Sequence, residues 1–266
     1  MLKKLIRSNL DDLWLYIGVE GGLFLLLEVI ICCVMYFERP EYSVSVAWTM
    51  FPIVAGFISL CAVSGHVAVT FDLALRFGQT RRRAMGQFLG MSVFESAFGF
   101  ALAALLSSLD RFACPALWAR LAGLDSWVMG EVGAVMQAPL PDILGMDIDP
   151  GRYFVNTAGE LTRLPENTLL VDGFSLDWYW WLIIFAAALA GGIIIGALIQ
   201  RFGQKGLWVV WCLTMVPLFM SQIFSFHALR LPYWLGTMLF PLVAGTLAAG
   251  LFLWALWSMF HAVVRT

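Results

Sequence analysis

The sequence predicts an all-α, polytopic membrane protein with six transmembrane helices, an N-terminal interfacial amphipathic helix and an extracytoplasmic insert between spans three and four. Of its 266 residues, 61% are hydrophobic and only 13% are charged. One globule of this length could not bury so much apolar surface, so most of it must face lipid. The apolar residues also fall into six runs, each about as long as a helix needs to cross the hydrocarbon core.

The first of the three predicted regions, residues 1–109, holds the interfacial helix and the first three spans. In residues 2–13 the leucines and Ile6 recur at spacings of three and four, with basic side chains on the other face, a pattern typical of a helix lying in the membrane interface. Spans follow at about 15–37, 47–73 and 85–109. The apolar run after the basic N-terminus is too long for a signal peptide, and we expect a retained anchor.

The second region, residues 110–177, is the insert, which is too polar and too rich in proline to cross a membrane. Helical periodicity predicts a helix within 115–136, and the composition of 153–172 predicts turns and short extended pieces.

The third region, residues 178–266, holds the last three spans, predicted at about 178–200, 207–226 and 234–263. The first of them opens with the aromatic cluster Trp178-Tyr-Trp-Trp181, which is typical of the headgroup level of a membrane.

The distribution of Lys and Arg predicts that both termini are cytoplasmic and that the insert lies outside, in a protein of the cell membrane. Basic residues are concentrated on the side of the termini and the short turns, and most of those on the other side belong to the long insert, which weighs little in the positive-inside rule. The inside set is Lys3, Lys4, Arg7, Arg76, Arg81, Arg82, Arg83, Arg201, Lys205 and Arg265, and the outside set is Arg39, Arg111, Arg120, Arg152, Arg163 and Arg230.

A basic turn between spans two and three is the most distinctive local feature. Arg76, Arg81, Arg82 and Arg83 fall close together, and Arg76-Phe77-Gly78-Gln79 recurs as Arg201-Phe202-Gly203-Gln204 between spans four and five. The arginines could serve as topology determinants at lipid headgroups. The apolar side chains among them favour a docking helix instead, because a charge anchor would not need them.

Motifs for catalysis and for cofactor binding are absent from the sequence. It has no Gly-x-x-x-x-Gly-Lys-Ser/Thr phosphate loop, no His-Glu-x-x-His, no Cys-x-x-Cys and no Gly-x-Ser-x-Gly. We therefore expect no catalytic residue, metal or cofactor in this chain and no nucleic-acid partner. If the protein moves a substrate uphill, the energy must come from an ion gradient or from a separate subunit.

Ionisable residues within the predicted spans are functional candidates by default, since charge is costly in the membrane. Glu28, His66 and Glu95 form a possible intramembrane path. Glu28 and Glu95 could equally be protonated residues at contacts between helices. His66 is more often a hydrogen-bonded packing residue than a proton carrier. Glu20, near the end of its span, is expected to be solvated or interfacial, and Asp72 precedes Arg76 by four positions, as in a local helical ion pair.

The chain resembles the permease subunits of ATP-binding-cassette exporters of the second type, as found in Gram-positive and gut bacteria. The resemblance rests on Leu73-Ala-Leu-Arg-Phe-Gly-Gln-Thr-Arg-Arg83, on Arg201-Phe-Gly-Gln-Lys-Gly206 and on the six-span plan. It implies cytoplasmic ATPase subunits that bind ATP and Mg, and a second permease, either an identical copy or a related chain. It also implies that the turn is the coupling helix, with contact residues Asp72, Arg76, Phe77, Gly78, Thr80, Arg81, Arg82 and Arg83, and that Arg201, Phe202, Gly203, Gln204 and Lys205 form a second cytoplasmic turn.

Two other functions stay open at the level of the sequence. A proton-coupled carrier would use Glu28, His66 and Glu95 as its relay and would need no ATPase. A membrane scaffold or sensor would hold the insert outside and relay to a partner. For an exporter, the aromatic and Met-rich membrane region favours an amphipathic or hydrophobic substrate, such as a peptide or a lipid-like molecule.

Overall fold

The computed structural model describes a mostly helical chain with four long apolar helices. The described residues are 10–130, 153–155, 161–203, 205, 206, 208, 246, 249, 250 and 252–259. The helices are α1 (Leu10–Glu38), α2 (Ala47–Gly65), a π-helix (His66–Phe71), α3 (Asp72–Arg76), α4 (Arg81–Phe112), α5 (Cys114–Ala122) and α6 (Trp178–Phe202). The strands are β1 (Tyr42–Ser45), β2 (Ser126–Gly130), β3 (Tyr153–Val155), β4 (Leu161–Arg163) and β5 (Thr168–Gly173).

Four of the six predicted spans are helices that are long and apolar enough to cross a membrane. These candidate spans are Leu13–Glu38, Ala47–Leu75, Arg81–Ala122 and Trp178–Phe202. The predicted fifth and sixth spans lie mostly outside the described residues, although 252–259 is helical. The predicted interfacial helix also lies outside them, except for its last four residues, which belong to α1.

The chain divides into two compact units. The first comprises Met1–Leu5, Phe57–Ser96 and Ala186–Thr266, and the second comprises Ile6–Gly56 and Ala97–Phe185.

The core of the first unit forms where α6 and α4 pack against the end of α2 and the π-helix. Val63, Val67 and Phe71 recur every four residues and are almost fully buried, which gives this segment one continuous apolar face. Glycine lets α6 approach that face closely: a Cβ on Gly192 would lie 2.7 Å from the Cβ of Val63, and one on Gly196 would lie 2.8 Å from the Ser64 carbonyl oxygen. This face is therefore occupied within the chain.

The second unit contains a three-stranded parallel sheet in the order β1-β5-β2. The first four residues of the central strand β5 are buried, as the apolar and β-branched run Thr-Leu-Leu-Val favours. Trp118 of α5 is 0% exposed and packs with Leu169 and Val171 of that strand and with Met35 of α1. Strands β3 and β4 form a separate antiparallel pair. The predicted all-α class therefore holds for the long helices but omits a small sheet.

The insert differs from its prediction in the extent of its helix. In the described part of 115–136, which ends at residue 130, the helical pattern yields α5, and residues 126–130 form a strand. Gly123, at φ +81°, ends α5 in the left-handed conformation, and the Leu124 amide closes the end by donating to the Ala119 carbonyl oxygen. The short extended pieces expected at 153–172 are present as β3, β4 and most of β5.

The sheet joins the connection between α1 and α2 to the insert. Strand β1 belongs to that connection and pairs along its whole length with β5 of the insert. Strands that share backbone hydrogen bonds cannot lie on opposite sides of a bilayer, so this pairing is compatible with the predicted topology, whose orientation stays a prediction.

Candidate functional site

The predicted coupling segment is the end of one long helical run followed by a tight turn. Helix α3 ends at Arg76, and α4 begins at Arg81. Gly78 adopts φ +78°, which a residue without a Cβ reaches at little cost, and the Gln79 amide donates to the Ala74 carbonyl oxygen at 3.1 Å. The turn is thus built by a glycine-terminated helix end.

The predicted docking segment begins inside a continuous helical run. Phe71, which precedes α3, has helical φ and ψ values of −66° and −42°, so α3 continues directly from the π-helix. No glycine, proline or capping side chain interrupts the chain between His66 and Asp72, and the first helix-ending residue is Gly78. The predicted turn is present, and the docking role of this segment stays a prediction.

The surface of the turn combines an apolar tip with exposed positive charge. Phe77 is 83% exposed, and the side chains of Arg81, Arg82 and Arg83 are exposed. These arginines occupy the first turn of α4, where the helix dipole favours anions, so their charges do not stabilise the helix locally. Their positions instead suit contact with an anionic surface.

The second copy of the Arg-Phe-Gly sequence has the same local role. Gly203 has φ +62° and ends α6, and its amide donates to the Ile199 carbonyl oxygen at 2.7 Å. Lys205 is exposed, and Phe202 is 47% exposed. The Arg201 guanidinium lies 5.6 Å from the ring centroid of Trp254, so it makes a cation–π contact within the first unit. Both copies of the repeat thus end a helix. Their phenylalanine side chains differ in exposure, since Phe77 is more exposed than Phe202.

Parts of the predicted turns lie outside the description. The side chains of Asp72 and Arg76 are not among those described, so their predicted ion pair stays a prediction, and Gln204 also lies outside. Thr80 is exposed, and its carbonyl oxygen accepts the first hydrogen bond of α4, from the Ala84 amide at 2.9 Å.

Two residues of the predicted intramembrane path, His66 and Glu95, meet in the first unit. His66 Nδ1 lies 3.4 Å from Glu95 Oε2, and the two side chains are 12% and 1% exposed. His66 is also the first residue of the π-helix, a geometry that occurs frequently at functional sites. Next to Glu95 on α4, Ser92 and Ser96 are buried, and within the part of the chain that the structure describes their hydroxyl groups have no hydrogen-bond partner.

The third residue of that path, Glu28, belongs to the second unit and contacts different groups. Its Oε2 atom accepts a hydrogen bond from Trp118 Nε1 at 3.0 Å, and the carboxyl group of Asp110 lies nearby. Asp110 in turn accepts a hydrogen bond from the Ser45 hydroxyl. Glu28 thus joins a polar network that connects α1, β1, α4 and α5.

Glu20 is fully buried in the second unit, at 0% exposure, and its carboxyl oxygens have no hydrogen-bond partner among the described residues. The expectation of a solvated Glu20 was therefore wrong, and its expected interfacial position stays a prediction. Tyr16, one turn earlier on α1, contacts Gly99 of α4, and a glycine there allows the two helices to approach closely. The same face of α1 carries Glu20 into the interior.

Four relevant residues escaped the sequence interpretation: Ser45, Ser92, Ser96 and Asp110. The spacing of Ser92, Glu95 and Ser96 puts all three on one helical face. Three polar residues on one face of an apolar run could have been recognised from the sequence as a candidate site. The sequence placed Asp110 at the start of the insert. In the structure it belongs to α4, which continues beyond the predicted end of its span. Ser45 could not be found, since its contact joins residues 65 positions apart.

Strand β1 brings one titratable contact into the extramembrane sheet. The Tyr42 hydroxyl donates to Asp172 Oδ2 at 3.2 Å. Partial burial, and next the negative charge of Asp172, raise the pKa of Tyr42 above its usual value. Tyr42 therefore stays a neutral hydrogen-bond donor at physiological pH.

Comparison with protein-family models, curated proteins and solved structures finds no match to this chain. Among the described residues no group of three or more His, Cys, Asp or Glu side chains is arranged to hold a metal ion. The candidate sites are therefore the basic turn and the polar cluster around Glu95.

Proposed function

We propose that this chain is the permease subunit of an ATP-binding-cassette exporter that moves an amphipathic or hydrophobic substrate, a peptide or a lipid-like molecule. Separate cytoplasmic subunits bind ATP and Mg and supply the energy, and a second permease completes the transporter. The observation that carries this proposal is Phe77, which is 83% exposed at the tip of a turn whose neighbouring helix starts with three exposed arginines.

The chemistry of the turn supports a protein partner. Aromatic side chains and arginine are enriched in protein interfaces, with an apolar anchor at the centre and charge at the rim. Burying a phenylalanine side chain contributes about 1.5–3 kcal/mol. Phe77 would enter a pocket on the ATPase subunit, and Arg82 and Arg83 would lie against acidic groups at its edge.

A lipid anchor is the competing explanation of the same turn. Anionic headgroups attract arginine without any requirement for Phe77 at the tip. The two explanations differ in what a change at Phe77 affects: a docking surface loses its partner, whereas an anchor loses its correct insertion.

The test is co-purification of the tagged chain with ATPase subunits that are co-expressed from the neighbouring genes. Phe77→Ala combined with Arg82→Ala is expected to reduce recovery of the ATPase about tenfold, equivalent to ~1.4 kcal/mol of binding free energy. The matched control is Phe37→Ala, because Phe37 is 79% exposed at the end of α1, on the opposite side in the predicted topology. It should leave recovery unchanged.

Insertion is measured on the same variants with a cysteine at Glu166, an exposed position of the insert. An impermeant reagent added to intact cells should label it equally in the wild type and the variant. Unlabelled variant protein would identify a topology anchor instead, and a wild type that recovers no ATPase would overturn the proposal.

A second candidate, a proton-coupled carrier, is favoured by the contact between His66 and Glu95. Such a carrier would transport in vesicles that contain the purified chain alone, and its transport would stop when the proton gradient is dissipated. The exporter would be inactive in those vesicles until ATPase and ATP were added.

A further inference from the structure

Two carboxyl groups come together in the second unit, that of Glu28 on α1 and that of Asp110 near the end of α4. Asp110 is 4% exposed, and Glu28 is half-buried. The Asp110 carboxyl group lies within hydrogen-bonding reach of Glu28. Two carboxylates offer each other only acceptor atoms, so a favourable contact between them requires a proton on one of the two.

The surrounding donors indicate which carboxyl group carries that proton. Asp110 accepts hydrogen bonds from the Ser45 hydroxyl and from the Ala47 amide at the start of α2, where the helix dipole also favours negative charge. Glu28 Oε2 accepts one from Trp118, whereas the buried Oε1 atom receives no donor from the described residues. A proton on Glu28 Oε1 makes this atom the donor and leaves Asp110 as the charged acceptor.

Arg111 is the cation next to the pair along the chain, but it does not neutralise either carboxyl group. Its guanidinium lies 5.9 Å from the ring centroid of Trp48. Among the described residues no Lys, Arg or His side chain forms an ion pair with Glu28 or Asp110. Ionising both carboxyl groups would therefore place two like charges side by side in a largely buried site without a counter-ion, which is costly.

The other titratable groups near the pair add no positive charge. The closest to Glu28 are the thiols of Cys32 on α1 and Cys114 on α5. From the sheet, Tyr42 of β1 donates its hydroxyl to Asp172 of β5 and so belongs to a separate contact. A shared proton is thus the remaining way for the two carboxyl groups to satisfy each other.

The elements that meet at this pair are those that attach the insert to the membrane helices. Trp118 brings α5 of the insert to Glu28 on α1, and Ser45 brings the end of β1 to Asp110 on α4. Loss of the proton would set two negative charges against each other at the centre of these contacts. The attachment therefore depends on whether the proton is bound.

We propose that Glu28 and Asp110 form a proton-binding site that fastens the insert to α1 and α4, and that a rise in pH weakens this attachment. The proton lies on Glu28 Oε1 and is donated to the Asp110 carboxylate. The native protein then binds one proton more than the unfolded chain, whose carboxyl groups ionise above about pH 5. Its stability consequently falls as the pH rises from there. The site does not depend on the ATPase assignment.

The experiment measures the melting temperature of the full chain in mild detergent at a series of pH values, for the wild type and for Glu28→Gln. Glutamine keeps the size of the side chain and supplies permanently the donor that the proton supplies in Glu28. Relative to this variant, the wild type should lose about 3–5 °C per pH unit, the slope for one linked proton in a chain of this size. Other acidic residues contribute equally to both proteins, so the difference belongs to the pair.

The matched control is Glu166→Gln, which removes an exposed carboxyl group of the insert and should keep the wild-type profile. A wild-type profile in Glu28→Gln, or an equal change in the control, would overturn the proposal. If Glu28→Gln does not fold, Asp110→Asn replaces it. This variant should reduce the slope likewise, because Glu28 can then ionise without a like charge beside it, and an unchanged slope would refute the site.

Hydrogen exchange of the α5 amides tests the attachment itself. At alkaline pH, the amides of Cys114–Ala122 should exchange faster in the wild type than in Glu28→Gln at the same pH, and at mildly acidic pH the two proteins should agree. Equal exchange in α5 at every pH would show that the proton does not fasten the insert.

Discussion

Helix α4 contains two buried acidic residues, Glu95 in the first unit and Asp110 in the second, and their surroundings differ. Asp110 accepts a hydrogen bond from Ser45 and lies near Glu28, which accepts one from Trp118. Beside Glu95, in contrast, Ser92 has a buried hydroxyl without a hydrogen-bond partner among the described residues, and so has Ser96.

The difference separates two uses of buried polarity. A network whose carboxyl groups each receive a neutral donor fixes one arrangement of the elements that it joins, and here it connects the insert to α1 and α4. A cluster with unused hydroxyls retains capacity for a ligand. We therefore assign a structural role to the Asp110 network and a binding role to the Glu95 cluster, and the predictions below test this division.

The largest effect is expected from Trp118→Ala in the structural network. Trp118 is 0% exposed and donates to Glu28, so the change removes a large core side chain and leaves Glu28 without this donor. We expect a loss of about 3–5 kcal/mol in the free energy of unfolding, measured by denaturation in detergent. Leu117→Ala, at a position that is 49% exposed, is the control and should cost much less.

The long helices were predictable from the sequence because an apolar run of membrane length has few other folds available. The end of α3 was equally readable, since Gly78 follows an apolar and basic helical pattern and is the residue that tolerates φ +78°. Local chemistry determines both features, and for that reason a pattern in the sequence was sufficient.

The sheet and the two clusters were not predictable, because each depends on residues that are distant in the chain. Strand β1 pairs with β5, and Ser45 contacts Asp110 across 65 positions. His66 and Glu95 were named as members of one path, but no local pattern indicated that they would be neighbours while Glu28 would contact Trp118. The helix predicted within 115–136 was too long because the helix-ending role of Gly123 was overlooked.

The second largest effect is expected from Gly196→Val, which tests the support of the binding cluster. A Cβ at this position would already lie 2.8 Å from the Ser64 carbonyl oxygen, and it would press on Val67, the residue after His66. Overpacking of this kind costs about 1–3 kcal/mol, measured by unfolding.

The control for Gly196→Val is Gly90→Val, because a Cβ on Gly90 would meet nothing within 4 Å. It should leave the stability nearly unchanged. An equal loss of stability in both variants would show that glycine at position 196 matters through helix propensity and not through close packing.

A smaller effect is expected from Ser45→Ala in the structural network. Ser45 is 2% exposed, and removal of its hydroxyl leaves the buried Asp110 carboxyl group without that donor. A lost partner of a buried polar group costs about 1–3 kcal/mol, again measured by unfolding. Unchanged stability would mean that other groups satisfy Asp110 and that the network does not depend on this bond.

The smallest effect on stability is expected from Ser96→Ala, which makes the same change at a residue that is 1% exposed in the binding cluster. Its hydroxyl has no described hydrogen-bond partner, so its removal breaks no described bond, and we expect a change of less than about 0.5 kcal/mol without ligand. A large loss of stability without ligand would instead assign Ser96 a structural role like that of Ser45, and the division between the two clusters would fail.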